Sequence, residues 1–135
     1  VELMCNPFRG CNISAVMGTE SRGFIFGTAI AQSLSCGFVP IRKAGKLPGK
    51  THAVDYGLEY GEDTIEVHTD AIKPGDRVLL VDDLLATGGT LAASCDLISK
   101  LEGDLIGISV LIELIELKGR DNLKNPSLLH AVLSM

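Results

Sequence analysis

No apolar run in this sequence approaches the roughly 18 residues that a membrane span needs, and the opening VELMCNPFRG has neither a basic leader nor a signal-type apolar core. Membrane-bound classes are therefore set aside. Basic residues are also scarce: 12 Lys and Arg stand against 17 Asp and Glu, a formal charge of -5. A nucleic-acid or anionic-membrane surface normally shows a basic excess, so neither is expected as a partner, and any anionic ligand must be met locally. The four cysteines (Cys5, Cys11, Cys36, Cys95) form no CxxC and have no histidine at zinc spacing. They read as reduced thiols of a cytoplasmic protein. No repeat, low-complexity tract or Pro/Ser linker divides the 135 residues, so residues 1–135 are expected to form a single domain around one core. The chain begins at Val1 rather than Met, as a mature product or a fragment would.

What is present alternates. NISAVMG (Asn12 to Gly18) is a short apolar run ending at a glycine, and ESRGFIFGTAIAQSLSCG then carries helical spacing, with Ser21 as N-cap and Gly37 as the stop. FVPIRK (Phe38 to Lys43) predicts a second strand. TIEVHTDAI (Thr64 to Ile72) alternates as a half-exposed strand does, and KPGD after it is a turn. RVLLVDD predicts a buried strand, TLAASCDLISKLEG a helix ending at Gly103, and LIGISVLIEL a last buried strand. Buried strands separated by helices indicate an α/β fold with a mostly parallel sheet flanked by helices. In such sheets ligands gather at the carboxyl ends of the strands.

The stretch VLLVDDLLATGGTL (Val78 to Leu91) runs four aliphatic residues into two adjacent acids and then into a glycine pair fenced by threonines. Asp82 and Asp83 fall where the strand ends, and two acids there suit sugar hydroxyls or a hydrated magnesium ion, which takes hard oxygen ligands. Ala86, Thr87, Gly88, Gly89 and Thr90 offer unobstructed backbone N–H groups, two hydroxyls and a helix N-terminus, the ingredients of a monophosphate cradle. A lone DD or GG would be an ordinary strand end and turn; fused behind a buried strand they make a site. The P-loop lysine and the G-x-G-x-x-G of dinucleotide folds are both missing. Acids for a ribose beside a cradle for its phosphate describe a ribose 5-phosphate moiety.

This stretch resembles the phosphoribosyl-pyrophosphate signature of the type I phosphoribosyltransferases. The strings ESRGFIFG, IRKAGKLPG, GLEYG and ELIELKGR make the chain, from about Asn12 to Arg120, similar to the adenine-using branch of that family. The resemblance implies a core domain with a flexible β-hairpin lid, acting in purine salvage. Its partners would be phosphoribosyl pyrophosphate, adenine, AMP and pyrophosphate, with Mg2+ held through the substrate near Asp82 and Asp83, and it would work as a homodimer.

Arg42, Lys43, Lys46 and Lys50 lie in RKAGKLPGKTH, a segment without one acid in an otherwise acidic chain. Read alone it is either a solvated loop or a polyanion trap. Gly45, Pro48, Gly49 and Gly57 supply hinge and turn positions for a mobile lid. By resemblance Arg42, Lys43, Lys46 and Arg22 bind the pyrophosphate, and Tyr60 positions the lid or leaving group. Glu59 in GLEYG, on its own a hairpin surface carboxylate, is implied to exchange a proton with the purine. Leu114 is implied to pack on the adenine ring, although a leucine at a strand end is commonly plain core. His52 and His68 read as solvated.

Members of this family carry a further N-terminal segment that forms a hood over the base. The first predicted strand lies so near Val1 that this hood is expected to be missing. Two other classes share the residues: a binding protein that senses the sugar pyrophosphate without turnover, and a magnesium-dependent phosphohydrolase using Asp82 as nucleophile.

Overall fold

The computed structural model describes residues 1–58 and 61–135. Its sheet has seven strands: β1 (Ala15–Thr19), β2 (Gly37–Lys43), β3 (Thr51–Leu58), β4 (Gly61–His68), β5 (Arg77–Leu85), β6 (Asp104–Glu113) and β7 (Leu129–Ser134), in the order β3-β4-β2-β1-β5-β6-β7. The run β2-β1-β5-β6-β7 is parallel, whereas β4 pairs antiparallel with β2 and with β3. The sheet is thus mostly parallel, as expected, with an antiparallel hairpin on one edge. Helices α1 (Glu2–Cys5), α2 (Arg22–Ser33) and α3 (Gly89–Lys100) flank it.

Central strands buried on both faces explain the continuous apolar runs of the sequence. Successive side chains point to opposite faces. Met17, Val78 and Leu80 face one side, where they pack with Leu91, Leu97 and Ile98 of α3 and with Ile65 and Val67 of β4. Val16, Leu79 and Val81 face the other, against Met4 and Cys5 of α1 and Ile30 and Ala31 of α2. The hairpin is also tied to α3 directly: Lys100 Nζ donates to the Ala53 carbonyl at 2.8 Å.

Several boundaries differ from the sequence expectation, among them that of α3, which stops at Lys100 and not at Gly103. Helix α2 stops at Ser33, not at Gly37; the left-handed turn falls at Ser35 (φ 56°), and Gly37 opens β2 instead. The alternating strand ends at His68, before the predicted Ile72, because Thr69 to Ile72 bend toward the KPGD turn. Segment THAVDYGL is strand β3, paired to β4 along its length, and with it forms the β-hairpin that the resemblance implied. LIGISVLIEL is not the last strand: β7 follows it and pairs parallel to β6. All four cysteines are free. Among the described residues no helix is long and apolar enough to cross a membrane.

Candidate active site

Three parallel strands deliver their carboxyl ends to one place. β1 ends at Thr19 and α2 begins at Arg22, so the short link between them presents Glu20, Ser21 and Arg22. β2 ends by presenting Arg42 and Lys43. Asp82 and Asp83 lie near the carboxyl end of β5, which runs on to Leu85 and not, as expected, only to the acidic pair, and the loop after it enters α3 through Gly88 and Gly89. Between them lies an open cavity of about 480 Å³ lined by Glu20, Arg22, Lys43, Lys46, both aspartates and residues 84–91.

The acidic pair and the cradle predicted from sequence therefore share one wall. The Asp83 amide donates to Asp82 Oδ1 at 2.8 Å, and the Asp83 carboxylate pairs with Arg22 Nε at 2.7 Å. Burial pushes the Asp82 carboxyl up to about 7; the Thr19 hydroxyl and the Asp83 amide pull it down, and the Asp83 carboxylate pushes it further up. Space here is tight, since a Cβ on Gly23 would stand 2.8 Å from Thr19 Oγ1 and 3.2 Å from Asp82 Oδ1. Gly88 takes a left-handed conformation (φ 88°) as the N-cap of α3 and has no side chain with which to close the helix end. That leaves the N-terminal amides of a 12-residue helix available to an anion.

At the opposite wall the basic side chains meet carboxylates that the sequence reading passed over. Glu20 accepts from Arg42 Nε at 3.0 Å and from the Lys43 amide at 3.3 Å, and it pairs with Lys46 Nζ. Burial works against its ionisation, but Lys46 and Arg42 together hold its carboxyl below the ordinary range. Lys43 Nζ lies 3.5 Å from Asp63 on the hairpin, and the Tyr56 hydroxyl donates to the same carboxylate at 3.2 Å. Burial also opposes ionisation of Asp63; the Thr64 amide, the Tyr56 hydroxyl and Lys43 outweigh it and lower its carboxyl. Tyr56 reaches over the cradle, its ring 3.6 Å from where a Cβ on Gly89 would sit.

Leu114 follows β6, is partly buried and anchors its amide to the Leu85 carbonyl at 2.9 Å; it does not line the cavity. Behind it the buried Glu113 grips Arg120 with two bonds, Nε to Oε1 at 2.7 Å and a terminal nitrogen to Oε2 at 2.9 Å. The Asn122 side-chain amide donates to the Thr87 carbonyl, tying this segment to the cradle. Glu59 and Tyr60 lie outside the described residues. Among the described residues no cluster of three His, Cys, Asp or Glu side chains could hold a metal. The two aspartates alone supply an incomplete oxygen set, which fits an ion that brings further oxygens on its own substrate.

Comparison with known proteins agrees with this layout. The model of the phosphoribosyl transferase domain matches residues 8–126. An adenine phosphoribosyltransferase of Clostridium perfringens is 56% identical over 124 residues, covering 92% of this chain and 72% of that protein. The crystal structure of the enzyme of that name from Rhodothermus marinus superposes with a TM-score of 0.95 at 51% identity, covering 99% of this chain and 76% of that one. The Saccharomyces cerevisiae enzyme, complexed with an imino-altritol bisphosphate and adenine, gives a TM-score of 0.89 at 44% identity, with 95% and 72% covered.

Proposed function

The chain belongs to the phosphoribosyl transferase family, and from that premise we infer that it is a purine-salvage enzyme. It transfers the 5-phosphoribosyl group of phosphoribosyl pyrophosphate to adenine, yielding AMP and pyrophosphate. The observation that carries this reading is the sharing of one cavity by an anion cradle, an acidic pair and a cationic wall. A sugar bearing a phosphate at one end and a pyrophosphate at the other matches that sequence of charges.

Breaking the bond at C1 of the ribose passes through an oxocarbenium-like state. The chain's tasks are to hold the departing negative charge and to manage a proton on the base. Arg22, Arg42, Lys43 and Lys46 meet the pyrophosphate as its charge develops. Ala86, Thr87, Gly88, Gly89 and Thr90 take the 5-phosphate, mainly through backbone N–H groups. Asp82 and Asp83 accept from the ribose hydroxyls and would help to hold magnesium carried in with the substrate. When bound, Mg2+ neutralises pyrophosphate oxygens and so improves the leaving group. Glu59 exchanges the proton with the purine, a contribution typically about 10²–10⁴-fold. Tyr60 steadies the leaving-group end, and Leu114 offers the adenine ring an apolar contact.

Residues 1–135 act as one catalytic core unit. Four free thiols support a reducing, cytoplasmic setting. The enzyme works as a homodimer, and exposed apolar side chains such as Leu3 (65%) and Ile25 (69%) are consistent with burial against a second copy. Incubation with magnesium, phosphoribosyl pyrophosphate and each purine base in turn tests the reading, with nucleotide and pyrophosphate separated by chromatography. Adenine should give AMP. Pyrophosphate release without any base would indicate a hydrolase instead, and binding without turnover a sensor.

A further inference from the structure

Each cation assigned above to the pyrophosphate already has a carboxylate partner from this chain. Arg22 pairs with Asp83 at 2.7 Å, Lys43 with Asp63 at 3.5 Å, and both Arg42 and Lys46 with Glu20. A polyanion arriving here does not meet bare charges; it exchanges for anions already in place.

Glu20 differs from the other two acids. It serves two side-chain cations and the Lys43 amide at once, and its backbone amide is tied to the Ile41 carbonyl at 2.9 Å. Its side chain is only 9% exposed, whereas Arg42 and Lys46 are 35% and 49% exposed. By contrast Arg22 and Lys43 are 70% and 54% exposed and each holds one acid, the kind of open pair that contributes little. Glu20 also lines the cavity itself. A fixed, poorly hydrated negative charge therefore stands at the wall where the substrate's most negative group is bound.

We propose that Glu20 is a positioning residue that stands in for pyrophosphate between Arg42 and Lys46 and weakens the hold on that product. The proposal rests on the phosphoribosyltransferase reading of the site. Arg42 and Lys46 have further N–H donors to turn toward pyrophosphate oxygens. The Glu20 charge remains close by and repels the polyanion through a medium less screening than water. As pyrophosphate departs, Glu20 takes both cations back, so release leaves no cluster of unpaired charge. Product release limits turnover in many enzymes, which gives such a device its use.

The test titrates the folded 135-residue chain with magnesium pyrophosphate by calorimetry and measures product inhibition during turnover. Glu20→Gln and Glu20→Ala both remove the charge, so the result does not hang on one replacement folding. Each should bind pyrophosphate roughly two- to fivefold more tightly, the scale of one partly exposed ion pair. Each should also lower the inhibition constant, the KM for phosphoribosyl pyrophosphate and kcat together. A merely structural role would raise that KM. Glu20→Asp keeps the charge and should stay near the parent. Unchanged or weaker pyrophosphate binding in both uncharged variants overturns the role of Glu20. No pyrophosphate binding by the parent overturns the reading of the site as well, which separates the two failures.

Discussion

Gly88 and Gly119 are pressed backbone to backbone: a Cβ added to Gly88 would lie 2.5 Å from the Gly119 carbonyl oxygen, and one added to Gly119 would strike the Ala86 carbonyl. The cradle and the segment after β6 are thus packed with no room for a side chain between them.

Gly88→Ala should therefore fail twice. The left-handed backbone at φ 88° costs a residue with a Cβ about 1–2 kcal/mol, and the collision with Gly119 forces the loop to move besides. Thermal unfolding should show a loss on the order of 2 kcal/mol or more, and calorimetry a loss of phosphoribosyl pyrophosphate binding. Gly89→Ala is the control, because a Cβ there meets only the Tyr56 ring at 3.6 Å, in a right-handed helix. It should fold like the parent. Equal tolerance of both changes would remove the packing argument.

Glu113 is 7% exposed and its carboxylate has both oxygens on Arg120, whose guanidinium is raised by that carboxylate. Arg120→Met should cost about 1–3 kcal/mol. That is less than a fully buried broken pair, because the Arg120 side chain is 40% exposed and water can partly replace it. Combining it with Glu113→Gln should restore part of the loss. Strict additivity in urea unfolding would show that the two are not coupled.

Local pattern carries much of this molecule, and pairing across the chain carries the remainder. The acidic pair near the end of β5 and the glycine cradle are legible because their determinants are contiguous: an aliphatic run, two acids, and a turn that only glycine makes easily. Glu20 was hidden, since what makes it part of the site is a pair with Lys46, 26 residues away. Asp63, whose partner Lys43 lies on another strand, escapes the reading for the same reason. Strand β3 is legible only through the family resemblance, which implied a hairpin; its polar, glycine-containing sequence has no strand pattern of its own, and pairing with β4 makes it a strand. β7 is short and follows three helical turns, so nothing local distinguishes LHAVLS from a tail.

Asn122 touches the cradle from outside, its side-chain amide donating to the Thr87 carbonyl. Because Asn122 is exposed, water can replace it, and Asn122→Ala should change stability by about 0.5–1 kcal/mol at most. Loss of the tether should nevertheless loosen the phosphate loop. Steady-state kinetics should give a several-fold higher KM for phosphoribosyl pyrophosphate with kcat little altered. A change confined to adenine KM would mean that Asn122 serves the base and not the phosphate.

The raised Asp82 carboxyl makes stability depend on pH in a direction that can be checked. In the unfolded chain an aspartate loses its proton near pH 4. In the fold, burial and the Asp83 charge move that loss to about 7. Between these values the native state holds a proton that the unfolded state has released, so unfolding releases it and stability falls as pH rises. The contribution from this one group should decline by at most about 1.4 kcal/mol per pH unit from roughly pH 4 to pH 7 and then level off. Asp82→Asn cannot ionise, and its stability relative to the parent should rise across the same window. Urea unfolding of both proteins at several pH values measures the difference. A flat difference from pH 4 to 7 would mean that Asp82 is already ionised in the fold at acidic pH. An increase across the window would mean that Asp82 reaches neutral pH only partly charged.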